Sequence, residues 1–491
     1  MTEQQTCKPS PEPPAAQKGK AGDTAAYAQS PGRANGVPGD GLSRQARPVV
    51  TIIGGGLAGC EAAWQAAAFG CRVILHEMKP ERYSPAHHSP HLAELVCSNS
   101  LRSAAPDSAV GLLKDEMRAL GSLIIQAAER HRVPAGKALA VDREHFAAFI
   151  TELISQHPHI SVSHQEVTEL TADCGADPTT PLILATGPLT TEALAGSLAQ
   201  ITGQEHLAFY DAIAPIIAVD SLDREIIYQA SRYDDGPGDY LNCPMDRDQY
   251  QTFIEALGQA ATVPLKAFEE AKYFEGCLPI EVMLARGRDT LRFGPMKPVG
   301  LPDPRTGRDP YAVVQLRKEN AAGTHVNMVG FQTKLTYGEQ KRVFTLIPGL
   351  ANAEFTRLGS IHRNTFVCGP KVLTPYLQVK GRPGLLLAGQ LTGVEGYVES
   401  AAMGLLAGRN AACLALGLPL SAPSPDTAHG ALLGHLTQSE PKHFQPSNVN
   451  FSLFPPLAAR LPKRQRGQLR AQQALDSLAQ WQHTPTGRPL P

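Results

Sequence analysis

Blocks of apolar and polar residues divide the chain into recognisable elements. The run VVTII (49–53) is short, β-branched and flanked by polar residues, which predicts a buried parallel strand. Glycines at 54, 55, 56 and 59 follow. An alanine-rich stretch then predicts a helix over 57–69, ended by Gly70. CRVILHE (71–77) supplies a second strand closing at Glu77, which completes a βαβ unit of about thirty residues.

Downstream, the spacing predicts an amphipathic helix over 108–131, an extended piece, and a helix capped by Asp142. ISVSHQEVTEL (160–170) reads as a strand and PLILATG (181–187) as a short buried strand ending in a turn. From 211 to 337 the pattern becomes mixed and rich in Pro, Tyr and Arg, as expected of an inserted second domain. PGLLLAGQLTGVEGYVESAAMGLLAG (383–408) then returns to a buried strand, a glycine-rich turn and a small-residue helix.

The expected organisation has four parts. Residues 1–46 form a disordered extension, because Pro, Ala, Gly, Gln and Ser there bury too little to offset ordering entropy. Residues 47–210 and 338–420 form a discontinuous nucleotide-binding domain, residues 211–337 a substrate domain, and 421–491 a C-terminal segment with a basic tail. The fold class is α/β: a Rossmann-like domain with a smaller mixed α/β insertion.

Neither a secretory h-region nor about eighteen uninterrupted apolar residues occurs, so a soluble cytoplasmic protein is expected. Charge is balanced, 45 basic against 46 acidic residues, so a nucleic-acid partner needs a local basic surface. Two stretches offer one: Arg286, Arg288, Arg292 and Lys297, and the tail Arg460, Lys463, Arg464, Arg466 and Arg470. A solvated charged face is the alternative for both. Nine cysteines without a CxxC pair argue against a disulfide scaffold and a structural metal.

Gly54-x-Gly56-x-x-Gly59 gains meaning from its place between a strand and a helix, with Glu77 following on the next strand. The glycines allow close approach of a pyrophosphate, the helix N-terminus holds its charge, and Glu77 accepts from ribose hydroxyls. Gly55, Leu57 and Ala58 complete the corner. Two further strand-to-glycine corners, LILATG and LLLAGQ, favour FAD over NAD, since large flavoproteins close distant pieces of chain over one cofactor. Gly389 opens the last of these corners, and Gly404 and Gly408 would permit close helix packing.

Two cysteines stand at breaks between polar and apolar segments. Cys97, in ELVCSNSLRS, is followed by Ser98, Asn99, Ser100 and Arg102, donors and a cation that favour a thiolate. Cys277, in YFEGCLPIEVM, has a glycine beside it that would leave sulfur accessible. For each the alternative is a small packing residue.

The longer motifs carry a likeness. GGGLAGCEAAWQAA, PAHHSPHLAELVCSNSLRS, VPAGKALAVDR, YLNCPM, FEGCLPIEVMLARGRDTLRFGPMKPVGL, YAVVQLR and AGQLTGVEGYVESAAMGLLAG resemble the folate- and FAD-dependent tRNA (uracil-5-)-methyltransferases, over about 49–454. More distantly, the chain is similar to flavoproteins that modify wobble uridines in tRNA. The resemblance implies a GR2-type flavoprotein fold that uses methylenetetrahydrofolate as carbon donor and FAD re-reduced by NAD(P)H. The implied product is 5-methyluridine at position 54 of the tRNA T-loop. It maps the family's two important cysteines onto Cys97 and Cys277 and its flavin-side aromatic onto Tyr397. Uracil C5 becomes nucleophilic once a thiolate adds at C6. On that chemistry Cys277 is expected to attack the base, with Cys97 as its acid–base or supporting partner. Wobble-uridine modification and a flavin-bound RNA-binding protein without turnover are the competing readings.

Overall fold

The computed structural model describes residues 47–204, 207–233, 236–264, 273, 278–457 and 462–490. The expected disorder of 1–46 lies outside these residues, as do Cys277 and Arg460.

Val49–Ile53 (β1) sits inside a six-stranded sheet. The strand order is Gln378–Val379, Arg382–Leu387, Leu182–Leu184, β1, Arg72–His76 (β2) and Ile160–Ser163. All pairings are parallel except that of the first two strands. Val50 and Ile52 are fully buried, as a β-branched run covered on both faces requires. The strand Arg382–Leu387 returns beside Leu182–Leu184, so distant pieces of chain do close one domain.

Leu57–Ala68 (α1) packs along the helix Tyr397–Ala415. A Cβ on Gly404 would lie 2.2 Å from the Ala58 carbonyl oxygen, and one on Gly408 2.4 Å from that of Ala62. The two helix backbones therefore touch, which only glycine permits.

The stripe over 108–131 forms two helices rather than one, Ala109–Ala119 and Leu123–Arg130. Gly121 adopts φ +74° between them, and the Ser122 side chain caps the second by accepting from the Ile125 N–H. The strand expected over 160–170 stops at Ser163, where the Gln165 N–H turns back to the Ser163 carbonyl.

A second six-stranded sheet has its own core. Its order is Tyr228–Ala230, Tyr240–Met245, Ala312–Lys318, His325–Met328, Ile216–Ala218, Phe355–Arg357. This module runs past residue 337: the helix Tyr337–Phe344 inserts Val343 and Phe344 into that core, and Phe355–Arg357 is an edge strand. A two-stranded antiparallel ribbon, Leu207–Ala212 with Ile361–Phe366, carries the chain in and out of it.

Residues beyond 420 belong to the first core. Leu432 and Leu436 from Ala428–Gln438, and Leu478 and Trp481 from Lys463–Trp481, are buried in it. The fully buried Arg409 ties the C-terminal residues down, donating to the carbonyls of Thr486 (3.1 Å) and Arg488 (2.8 Å). Among the described residues no helix is long and apolar enough to cross a membrane.

Candidate functional site

The glycine corner at the carboxyl end of β1 is built by two kinds of glycine. Gly54 adopts φ +103°, and a Cβ there would lie 2.5 Å from the Ala185 carbonyl oxygen; on Gly59 it would lie 1.8 Å from that of Gly54. Those two positions close the turn. A Cβ on Gly56 would meet nothing within 4 Å, although Gly56 is the N-cap of α1 and offers no side-chain cap. Space therefore stands open before unsatisfied helix amides, the setting in which a phosphate binds.

Glu77, 7 % exposed, closes β2 beside this space. One carboxylate oxygen accepts the Gly55 N–H (2.7 Å) and the other the Lys79 N–H (3.0 Å). Leu57, Ala58 and Gly389 line the same cavity, as does Gly396, the uncapped N-cap of the helix Tyr397–Ala415. The cavity measures about 560 Å³. The open helix N-terminus at Gly56 offers amide donors and Glu77, just past the second strand, a carboxylate acceptor, a set that fits FAD.

Cys97 lines this cavity too. It is half-buried, with Sγ 3.8 Å from the Ala212 carbonyl oxygen on the connecting ribbon. Its N–H donates to the Tyr397 hydroxyl (2.7 Å), as does that of Ser98 (3.2 Å). Tyr397, the first residue of its helix, thus fixes the thiol loop from three hundred residues away in sequence. Asn99, fully buried, donates to the carbonyls of Val141 and Lys318 and accepts from Arg317 and Asn327. The loop is therefore clamped between the two modules.

The sequence pointed to Arg102 as the cation near the thiol; the structure corrects this. Arg102 turns to Glu399, at 2.6 Å. Arg143, Arg317 and Arg357 stand within electrostatic reach of Cys97 instead. Arg143 pairs with Glu319 and donates to the Leu95 carbonyl, while Arg317 donates to Ser98 Oγ (2.7 Å). Burial works against both cations; Glu319 and the sulfur favour them. Both residues stand in motifs quoted above, VPAGKALAVDR and YAVVQLR, but nothing local marks them.

Glu395 was also missed, though it stands two residues before Tyr397. It lines the cavity, and burial, followed by Asp211 and Cys97, pushes its carboxyl well above the usual range. Burial beside the thiol thus disfavours its carboxylate form. Its linkage has a definite sign. Both states hold the proton below the ordinary value of 4.5, and above it only the folded chain does, so stability falls as pH rises. Glu395→Gln removes that slope. Its melting temperature should match the parent's below the ordinary carboxyl value of 4.5 and exceed it progressively as pH rises above that value. A difference independent of pH would show that the carboxyl is not held protonated.

Burial pushes the thiols of Cys60 and Cys243 up, and that of Cys71 up to about 12.

Arg286, Arg288, Arg292 and Lys297 gather on and around the short helices Ile280–Ala285 and Thr290–Phe293. Arg286 and Arg288 are exposed, Arg288 reaching Gln251 and Glu255. Arg292 lies over the Tyr311 ring, 3.6 Å from its centroid, and Lys297 is half-buried. Phe293 between them is 79 % exposed. In the tail, Arg466 is exposed and Arg470 donates to the Pro455 carbonyl. The described residues flanking Cys277 meet the cavity wall. Tyr273 bridges Tyr210, next to the lining residue Asp211, and the Ile280 N–H donates to the carbonyl of lining residue Gln332.

Comparison with known proteins adds to this geometry. Residues 49–419 match the family described as glucose inhibited division protein A. The chain is 65 % identical over 432 residues to the methylenetetrahydrofolate–tRNA-(uracil-5-)-methyltransferase TrmFO of Desulfotalea psychrophila, covering 88 % of this chain and 96 % of the relative. It is 59 % identical over 433 residues to the protein of the same name from Geobacter sulfurreducens, covering 88 % and 98 %. Among solved structures, Aquifex aeolicus GidA superposes with a TM-score of 0.62 at 15 % identity, over 88 % of this chain and 76 % of that one, a likeness of fold.

Proposed function

The chain belongs to the glucose inhibited division protein A family and, within it, to the methylenetetrahydrofolate–tRNA-(uracil-5-)-methyltransferases, and from that premise we propose that it forms 5-methyluridine at position 54 in the T-loop of tRNA. Methylenetetrahydrofolate gives the carbon, and NAD(P)H re-reduces the flavin. One observation carries the reading: the dinucleotide cradle and Cys97 line a single cavity.

The residues divide the work as follows. The backbone at 54–59, Glu77, Gly389 and Tyr397 would hold FAD, which when bound supplies the two electrons that make the transferred carbon a methyl group. The target base must leave its stack to enter the cavity. Cys277 forms a bond to uracil C6 and pushes electron density onto C5, which attacks the one-carbon unit. Loss of the C5 proton to Cys97 then allows the C6–sulfur bond to break. Tyr397 and Asn99 keep the Cys97 loop in place for that transfer. Glu395, whose carboxyl burial holds above the usual range, would in its acid form donate a hydrogen bond where negative charge develops. Arg286, Arg288, Arg292 and Lys297 contact tRNA phosphates outside the cavity. A cytoplasmic location follows from a tRNA substrate.

The test uses purified FAD-loaded protein, methylenetetrahydrofolate, NADPH and unmodified tRNA, with nucleosides identified by mass spectrometry. 5-Methyluridine dependent on every component is expected. A modified wobble uridine would move the chain to the related activity, and FAD and tRNA binding without product would leave a non-catalytic protein.

A further inference from the structure

The wall that the second module contributes to the cavity carries three polar side chains among the described residues: Arg317, Asn327 and Gln332. Two are committed. Arg317 donates to Asn99 (2.9 Å) and Ser98 (2.7 Å), and Asn327 donates to Asn99 (3.3 Å) and to Glu319. Gln332 differs. It is half-buried, and its carboxamide makes no hydrogen bond to any described residue.

The stretch VGFQTKL (329–335), which contains Gln332, grips the chain on both sides of residue 277. The Gln332 carbonyl accepts the Ile280 N–H at 2.9 Å. Thr333 Oγ1 (3.1 Å) and the Lys334 N–H (2.5 Å) donate to the Glu281 carboxylate, and Lys334 Nζ donates to the Tyr273 hydroxyl (3.1 Å). Residue 280 is three positions beyond Cys277, a span of about 11 Å at most. An uncommitted amide therefore stands on the cavity wall where the Cys277 segment is moored. Asn364 carries another such amide and is 3 % exposed. Its neighbour Thr365 donates to the carbonyl of Pro188 (2.8 Å), next to the PLILATG corner, so Asn364 stands on the cofactor's side.

We propose that Gln332 anchors the target uracil, its carboxamide accepting from N3–H and donating to O4. The proposal rests on the function given above and deepens it. A carboxamide offers a donor and an acceptor side by side, and matches an edge where N–H and C=O are adjacent. Uracil has that edge at N3 and O4. N3 lies across the ring from C6, so a thiol bonded to C6 leaves the edge free. Rotated by half a turn the same amide matches cytosine, so Gln332 holds a pyrimidine in register and does not by itself choose uracil. A pterin and an isoalloxazine carry the same kind of edge, and the measurements separate them from the base.

The test is a cycle of equilibrium binding. FAD-loaded full-length protein, parent or Gln332→Ala, meets T-arm RNA with uridine or 3-methyluridine at position 54. The methyl group takes the place of the N3 hydrogen, and without folate nothing turns over. Gln332→Ala should weaken the uridine RNA about tenfold, the size of two neutral hydrogen bonds, and the methylated RNA within about twofold. The cycle cancels what the methyl does to the RNA itself. FAD content and melting temperature, expected at parental values, report folding. Equal losses for both RNAs would overturn the proposal. A loss confined to tetrahydrofolate affinity, measured without RNA, or to FAD affinity would assign the amide to the pterin or the flavin and overturn it too. Selective loss in a protein that makes no 5-methyluridine would keep the anchor and discard the reaction.

Discussion

Alanine at Gly56 is expected to weaken FAD binding about 100-fold while leaving the fold intact, whereas alanine at Gly59 damages both. The difference follows from what a methyl group would meet. At Gly56 it meets no atom within 4 Å, and the residue's backbone is extended, at φ −74° and ψ −171°. The apoprotein should therefore melt within about 2 °C of the parent, since ΔΔG is near zero. The same open space is what a pyrophosphate needs in front of the α1 amides, so the methyl occupies the ligand's place. An affinity loss of about 100-fold, or about 2.7 kcal/mol, is expected by FAD titration. At Gly59 the methyl would stand 1.8 Å from a backbone oxygen. The turn must then open, at a cost of about 3 kcal/mol, and the melting temperature falls with the affinity. If Gly56→Ala binds FAD as the parent does, the cradle has been assigned to the wrong ligand or the wrong face.

How much of this was legible in the sequence depended on distance along the chain. The βαβ corner could be read because strand, glycines, helix and Glu77 lie within about thirty residues and each constrains the next. Gly404 and Gly408 were legible for a related reason: one helical turn apart, they mark a face, and the face touches Ala58 and Ala62. The surroundings of Cys97 were not. Arg102, five residues away, looked like its cation, yet Arg102 finds Glu399 across the fold. Arg143 and Arg317 reach the thiol only because two sheets meet there, and no periodicity reports a meeting of sheets. The break at Gly121 escaped because the apolar stripe continues through it; a left-handed glycine interrupts the backbone without interrupting the pattern. Likewise, 337 looked like a boundary because composition changes there, while the second core takes its apolar residues as far as Phe355.

The other large effect concerns the thiols, and it separates two roles that loss of activity alone would merge. Cys97→Ala should lower methyl transfer about 1000-fold, the scale of a lost proton-transfer group, with FAD retained because no cradle atom is touched. The backbone N–H groups of residues 97 and 98 do not depend on sulfur, so their bonds to Tyr397 and the loop geometry should persist. Cys277→Ala should be at least as damaging, but for a different reason: it removes the atom that bonds to C6. tRNA carrying 5-fluorouridine distinguishes them, because fluorine at C5 cannot leave as a proton and the adduct accumulates. The Cys97 variant should still form that covalent complex, seen as a protein band shifted by the mass of tRNA, and the Cys277 variant should not. Trapping that survives without Cys277 and vanishes without Cys97 would exchange the roles. Cys97 would then be the nucleophile, and the clamp formed by Tyr397, Asn99 and Arg317 would be holding the attacking sulfur rather than the proton acceptor. The clamp's purpose is the same in either case, since both steps need the thiol fixed relative to C5 and C6 within a fraction of a bond length.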